Sequence, residues 1–265
     1  MSGFTEAAAA AASDRLWRHW QEGTRLDALP PDERPATRAE GYAIQARLEA
    51  RSRAPLVGWK IAATSAAGQA HIGVDGPLAG RLLAERVLEP GAEIPYRHNL
   101  MRVAEAEIAF RIGRDLSPRG APYDEAGMRA AVDGLHPAIE FPDSRFADFA
   151  TAGGPQLIAD NACTHWFVLG PAVAAWRDLD LANLATVARV EGQPEHHGRG
   201  ANVLGDPWTA LTWLVNEVTG LGLTLRAGEI VTTGTTTVPV PLRPDSRMSA
   251  DLGPLGTVTA RIGPA

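Results

Sequence analysis

Residues 102–112 read Arg102-Val103-Ala104-Glu105-Ala106-Glu107-Ile108-Ala109-Phe110-Arg111-Ile112. Apolar side chains recur at every second residue, with Val103 and Ala109 the apolar residues on the otherwise polar face, the period of a β-strand and not of a helix. Ala104, Ala106, Ile108, Phe110 and Ile112 fall on one face; Glu105, Glu107 and Arg111 fall on the other. On a strand, side chains two residues apart project the same way, about 6–7 Å apart. Two carboxylates so placed repel, and a cation between them makes the arrangement favourable. On an ordinary amphipathic strand the same glutamates simply meet water.

The chain on either side keeps this texture. From Pro55 onward it is built of short strand-like runs broken by glycine and proline, at 56–63, 102–112, 136–141, 164–169, 184–191, 229–233, 247–252 and 256–262. Helical spacing covers 65–72, 123–134 and 207–220, while 171–182 and 192–206 read as surface connections. Before Pro55 the chain is helical. Thr5 to about Glu22 is alanine-rich with Leu16, Trp17 and Trp20 on one side, and Thr37 caps a second helix reaching about Ser52. The expected fold is therefore α+β: a helical N-terminal region over 1–55 and a β-rich body over 56–265, sandwich-like and not made of alternating βαβ units.

With 265 residues, 45% hydrophobic and 21% charged, the chain has the composition of a globular protein with a sizeable core. A net charge of −6 argues against nucleic acid or an anionic membrane as partner. No run approaches the roughly 18 apolar residues of a membrane span. The alanine-rich start has no basic segment before it and carries Glu6 and Asp14, so it reads as helix and not as an export signal. Cys163 is the only cysteine, which excludes an internal disulfide and suits the cytoplasm.

Only one of the 25 basic residues is a lysine, Lys60, within Leu56-Val57-Gly58-Trp59-Lys60-Ile61-Ala62. Arginine stays charged in proteins, whereas a lysine in an apolar setting can exchange its proton. Desolvation lowers such an amine's pKa and nearby acids raise it, so its direction stays open here. The bland alternative is a lysine whose stem packs on the core and whose tip meets water. A third acid, Glu140, ends the apolar run His136-Pro137-Ala138-Ile139-Glu140-Phe141. Glu105, Glu107 and Glu140 together make a hard oxygen site suited to Mg²⁺ or Mn²⁺.

Five stretches in order carry a resemblance: Val57 to Ile61, Ala104 to Glu107, Pro137 to Glu140 with Asp143-Ser144-Arg145, Ile158 to Asn161, and Gly253 to Val258. The set resembles the 2-keto-4-pentenoate hydratase and 4-oxalocrotonate decarboxylase family of the fumarylacetoacetate hydrolase superfamily, over about residues 55–262. The resemblance implies a mixed β-sandwich roll preceded by helices and assembled as a homo-oligomer. It also implies a divalent metal on Glu105, Glu107 and Glu140, with Lys60 beside a small 2-keto or 2-hydroxy acid. The expected activity is hydration of 2-hydroxy-alkadienoates in aromatic-compound degradation. Decarboxylation of a 4-oxalocrotonate-type acid is the alternative, followed by acylpyruvate-type C–C hydrolysis or a non-catalytic role beside a pathway enzyme. Cys163, where relatives carry serine, and the loop Thr232 to Thr237 depart from the family wording.

Several further residues are candidates. Asp75, in Val74-Asp75-Gly76, and Asp143 are acid/base candidates, each also readable as a turn or ion-pair aspartate. Trp59 is placed at the pocket by its neighbour, Arg145 is a carboxylate clamp or half of a structural ion pair, and Asp160 is a pocket residue or a turn aspartate. Thr235 and Thr236 offer hydroxyls to a substrate carboxylate. A decarboxylase for a dicarboxylate needs a second cation at the far end of its pocket, with Arg97, Arg145 and Arg247 as candidates.

Overall fold

Thr5 opens the first helix, α1 (Glu6–Glu22), its hydroxyl accepting from Ala8 N–H at 3.1 Å, and Gly23 closes it in the left-handed region at φ 63°. The computed structural model describes residues 4–52 and 55–265. Met1 to Gly3, where the export-signal reading begins, and Arg53 and Ala54, at the end of the helical region, lie outside the described residues. Thr37 and Glu40 form a reciprocal capping box at the start of α2 (Arg38–Gln45). The helix expected to run to Ser52 instead breaks at Ala46 and Arg47 and resumes as α3 (Leu48–Arg51).

The body follows with β1 (Leu56–Ala62), α4 (Ala66–His71), β2 (Leu78–Leu83), β3 (Val87–Leu88), β4 (Glu93–Ile94) and β5 (Val103–Ile112). Next come α5 (Glu125–Ala131), β6 (Val132–Phe141), α6 (Gly154–Ala159), β7 (Trp166–Leu169), β8 (Ala185–Val190) and β9 (His196–Arg199). The chain ends with α7 (Pro207–Gly220), β10 (Ile230–Thr235), β11 (Val240–Pro241), β12 (Arg247–Asp251) and β13 (Thr257–Ile262).

Two sheets result, in the mixed curled arrangement the sequence leads one to expect. The larger runs β2-β1-β10-β5-β6-β7-β3, with β11 added beside β5; the smaller runs β4-β13-β12-β8-β9. Ala104, Ala106, Ile108, Phe110 and Ile112 are fully buried, packed in one cluster with α7 and the inner residues of β8, β12 and β13. The alternation in 102–112 thus turns its apolar face to the core and its glutamates to the opposite face of the large sheet.

Some element boundaries differ from the sequence reading. The helix expected over 123–134 stops at Ala131, because Val132 already pairs with Ile112 of β5. β2 was hidden by the turn-like Gly76-Pro77 before it, and β9 lies inside the 192–206 stretch read as a surface connection. Short α6 was also unforeseen. Leu16, Leu29 and Ile44 of the N-terminal region bury themselves with Phe146 and Ala159, so the helices seal one side of the β body. Among the described residues no helix is long and apolar enough to cross a membrane.

Candidate active site

Antiparallel pairing of β5 with β6 sets Glu105 directly opposite Glu140, and Glu107 opposite Ala138. Period-two alternation then puts all three carboxylates on one face, and one oxygen of each lies within 4.8 Å of the others. Lys60 reaches the same face from two strands away, in a row where it neighbours Thr232 of β10, which in turn neighbours Ala109 of β5. Thr232 and Ala109 are small, which leaves room for the lysine stem. Lys60 Nζ ends 3.0 Å from Glu140 Oε1 and donates to Ala162 O at 2.9 Å.

Glycines permit this closeness. Gly80 is the β2 partner of Lys60, and a Cβ there would come within 2.3 Å of Thr164 Oγ1 and 2.5 Å of Asn161 O. The pairing of β10 with β5 slips between Thr232 and Thr235, a bulge that includes Gly234 at φ 100°. Gly234 N–H donates to Glu107 Oε2 at 3.1 Å, and the Thr232 hydroxyl donates to the same oxygen. Glu107 Oε1 and Glu140 Oε2 are left buried with no partner, and Glu140 Oε1 has only the Lys60 ammonium 3.0 Å away.

Burial raises the pKa of all three acids. Glu105 is pushed up to about 7 by desolvation and then by Glu140. Glu107 is raised further by desolvation and by both neighbouring acids. Glu140 also rises, desolvation outweighing the adjacent Lys60 ammonium. For Lys60 desolvation pulls downward, but Glu140, Glu105, Cys163 and Glu107 together win, so the amine's pKa is raised and it stays protonated. Burial lifts the Cys163 thiol to about 12, which makes it a neutral wall and not a nucleophile.

Three carboxylates and one ammonium leave two formal negative charges in a buried space. Orphaned carboxylate oxygens, a hard all-oxygen donor set and that excess charge fit a divalent cation held by Glu105, Glu107 and Glu140. Beside them opens a cavity of about 470 Å³. Its polar lining includes Lys60, Glu105, Thr64, Ser65 and Cys163, and its apolar lining includes Ile72, Leu78, Met101, Val103, Phe149 and Leu157.

The other sequence candidates divide. Thr235 lines the cavity, although its hydroxyl donates to Thr237 O at 2.9 Å. Asp143 lies just behind the wall, accepting from Leu100 and Met101 N–H at 3.0 and 2.9 Å and so fixing Met101 in the lining. Trp59 points away from Lys60 into the core, its ring under the Arg81 guanidinium at 4.6 Å. Arg145 and Asp160 are spent on each other as a buried ion pair, with Asp160 also accepting from the Ser144 hydroxyl at 2.8 Å. Thr236 is buried and donates to Ala106 O at 2.8 Å. Asp75 is exposed on a bend. None of these last five lines the cavity. Gly80, Ala162, Thr232 and Gly234 were not singled out from sequence; the glycine between two strand-like runs was the available signal for Gly80.

Fold and site together set an acid triad and a lysine at the edge of a cavity of small-molecule size. The chain belongs to the fumarylacetoacetate hydrolase C-terminal family, whose model matches residues 77–263. It is 33% identical over 228 residues to a 4-oxalocrotonate decarboxylase of a Pseudomonas species, covering 85% of each chain. It is 32% identical over 251 residues to a 2-keto-4-pentenoate hydratase of Paraburkholderia xenovorans strain LB400, covering 93% of this chain and 92% of that one. Among solved structures, 4-oxalocrotonate decarboxylase from Pseudomonas putida G7, complexed with magnesium and adipate, superposes with a TM-score of 0.89 at 28% identity over 99% of this chain and 100% of that one.

Proposed function

We propose that the protein is a metal-dependent hydratase of 2-hydroxy-alkadienoates in aromatic-compound degradation, with residues 56–265 as catalytic body. The observation that carries hydration over decarboxylation is the lining of the cavity. Among the described residues no arginine and no lysine besides Lys60 lines it; its walls are largely apolar, with Ile72, Leu78, Val103, Phe149 and Leu157, and His71 is the further basic side chain among them. A second substrate carboxylate against those apolar walls would lose its hydration with no arginine or second lysine to pair with. Arg145 is neutralised by Asp160, while Arg97 and Arg247 are exposed and outside the lining.

Glu105, Glu107 and Glu140 would hold Mg²⁺ or Mn²⁺. A cation bound there neutralises a 2-oxo acid and stabilises the negative charge that develops on its 2-oxygen. Lys60, held as an ammonium between Glu140 and the Ala162 carbonyl, supplies the proton that the terminal carbon of the dienol gains, and the proton lost by the 2-hydroxyl as it becomes a ketone returns to the lysine amine. Water then adds at the far carbon of the conjugated enone, and the proton it sheds balances the one gained at carbon 3. Met101, fixed by Asp143, and Thr235 shape the cavity around the acid. A cytoplasmic location, a homo-oligomeric state and contact with a pathway enzyme complete the reading; the lone cysteine and the family resemblance support them.

The test supplies 2-hydroxypenta-2,4-dienoate and 4-oxalocrotonate separately, with Mg²⁺ and with Mn²⁺, and separates the products. Hydrated product without CO₂ supports the proposal. CO₂ release from the dicarboxylate replaces it with the decarboxylase, and no turnover of either removes both.

A further inference from the structure

A separate cavity of about 660 Å³ is lined by Trp17, Gln21, Arg51, Glu85, Arg86 and Trp166, none of which lines the catalytic cavity. Arg86 lies half-buried between two indoles, its guanidinium 4.9 Å from the Trp20 ring and 4.4 Å from that of Trp166. Stacking on indoles occupies a guanidinium face and leaves its N–H edge, the part that recognises a carboxylate in a two-pronged fit.

That edge has no taker. Among the described residues no carboxylate lies within 4.0 Å of Arg86, and no hydrogen bond from it is formed. The adjacent acid, Glu85, instead receives the Ser52 hydroxyl at 2.8 Å on both oxygens. The other cation of the cavity, Arg51, is committed to Asp14 and to the Ser13 hydroxyl. Arg145 stacks on the same Trp20 ring at 4.6 Å, but Asp160 neutralises it. Among the described residues, Arg51 and Arg145 each have an acid and Arg86 has none within 4.0 Å. Burial, and then Arg145, lower the guanidinium's pKa to about 10, which leaves it charged at neutral pH. A second donor is equally idle: Trp166 Nε1 is buried without a partner.

We infer that this cavity binds a small organic carboxylate, its acid group on the Arg86 edge and its apolar body against Trp17 and Trp166. The geometry favours a flat, singly charged acid, because Glu85 on the rim repels a second negative charge.

Benzoate is a suitable probe, added to the chelator-treated full chain so that the acid triad holds no cation. Its binding is followed by indole fluorescence and by calorimetry. Saturable binding in the millimolar range or tighter is expected, weakened at least about tenfold in Arg86→Leu, weakened less in Arg86→Lys and Trp166→Phe, and unchanged in Glu107→Gln. Absence of binding, or equal affinity in wild type and Arg86→Leu, overturns the inference. So does an Arg86→Leu chain that changes its sedimentation while wild type ignores benzoate, since the missing carboxylate then belongs to a second copy. If Arg86→Leu does not fold, Arg86→Lys and Trp166→Phe decide alone, and unchanged benzoate affinity in both is the overturning result.

Discussion

The side-chain amide of Asn161 joins the main chain of Arg81 as a neighbouring strand would, accepting from its N–H at 2.6 Å and donating to its carbonyl at 2.9 Å. Asn161, Ala162 and Cys163 all have positive φ, at 55°, 50° and 61°, a run that costs about 1–2 kcal/mol per non-glycine residue. The Asn161 clamp, with the Thr164 hydroxyl on Asn161 O at 2.6 Å, holds this turn so that Ala162 O meets the Lys60 amine.

Replacing Asn161 with alanine unpairs two buried main-chain groups of Arg81 and should cost about 1–3 kcal/mol of stability. With the turn released, Lys60 loses its anchor, so kcat should fall at least about tenfold while KM changes little. Thermal melts and steady-state kinetics on the same preparations check both, and an unchanged kcat would mean that the turn does not position the amine.

Lys60→Met removes the ammonium and keeps much of the stem. Turnover should drop by about 10²–10⁴-fold, the usual worth of a positioned proton donor. Affinity for Mg²⁺ should not fall, because the variant takes a competing positive charge away from Glu140. Calorimetry showing weaker binding would contradict this arrangement.

Glu107→Gln and Thr232→Val address the same ligand from two sides. The first removes a donor oxygen with its charge and should weaken Mg²⁺ binding most. The second removes only the hydroxyl that orients Glu107, and about a 10–100-fold loss is expected. Equal affinity in wild type and Glu107→Gln would exclude Glu107 as a ligand.

The acids also set a pH dependence. Glu105 rises from 4.5 to about 7 on folding, so between those values the folded chain binds more protons than the unfolded chain. Stability from this group is therefore fully present below about 4.5 and is lost as pH rises through about 7. A cation competes with those protons, so its stabilising effect should grow over the same window. Melting with chelator or Mg²⁺ near pH 5.5 and pH 7.5 tests this. The Mg²⁺-induced shift should be larger at the higher pH, and Glu105→Gln should flatten the metal-free profile.

Local alternation carried most of what was legible in the sequence. The strand at 103–112, its buried alanines and its outward glutamates all follow from a period of two. That Glu140 stands opposite Glu105 depends on the register of β5 against β6, a long-range property that no local pattern encodes. Alternation itself argued against Trp59 as a pocket residue, since neighbours on a strand point to opposite faces; proximity in sequence misled. Arg145 and Asp160 were invisible as a pair because the chain between them bends back through α6. β2 was missed because the turn-like Gly76-Pro77 before it and its own glycine, the one that admits Lys60, together read as a connection.

With its sole lysine sealed against Glu140, the folded body offers amine-directed reagents almost nothing beyond the α-amino group. Acylation or reductive methylation at position 60 needs the free amine, so its rate reports how often the ion pair with Glu140 releases a deprotonated Lys60. One labelled site in a peptide digest would then report how often that buried ion pair comes apart.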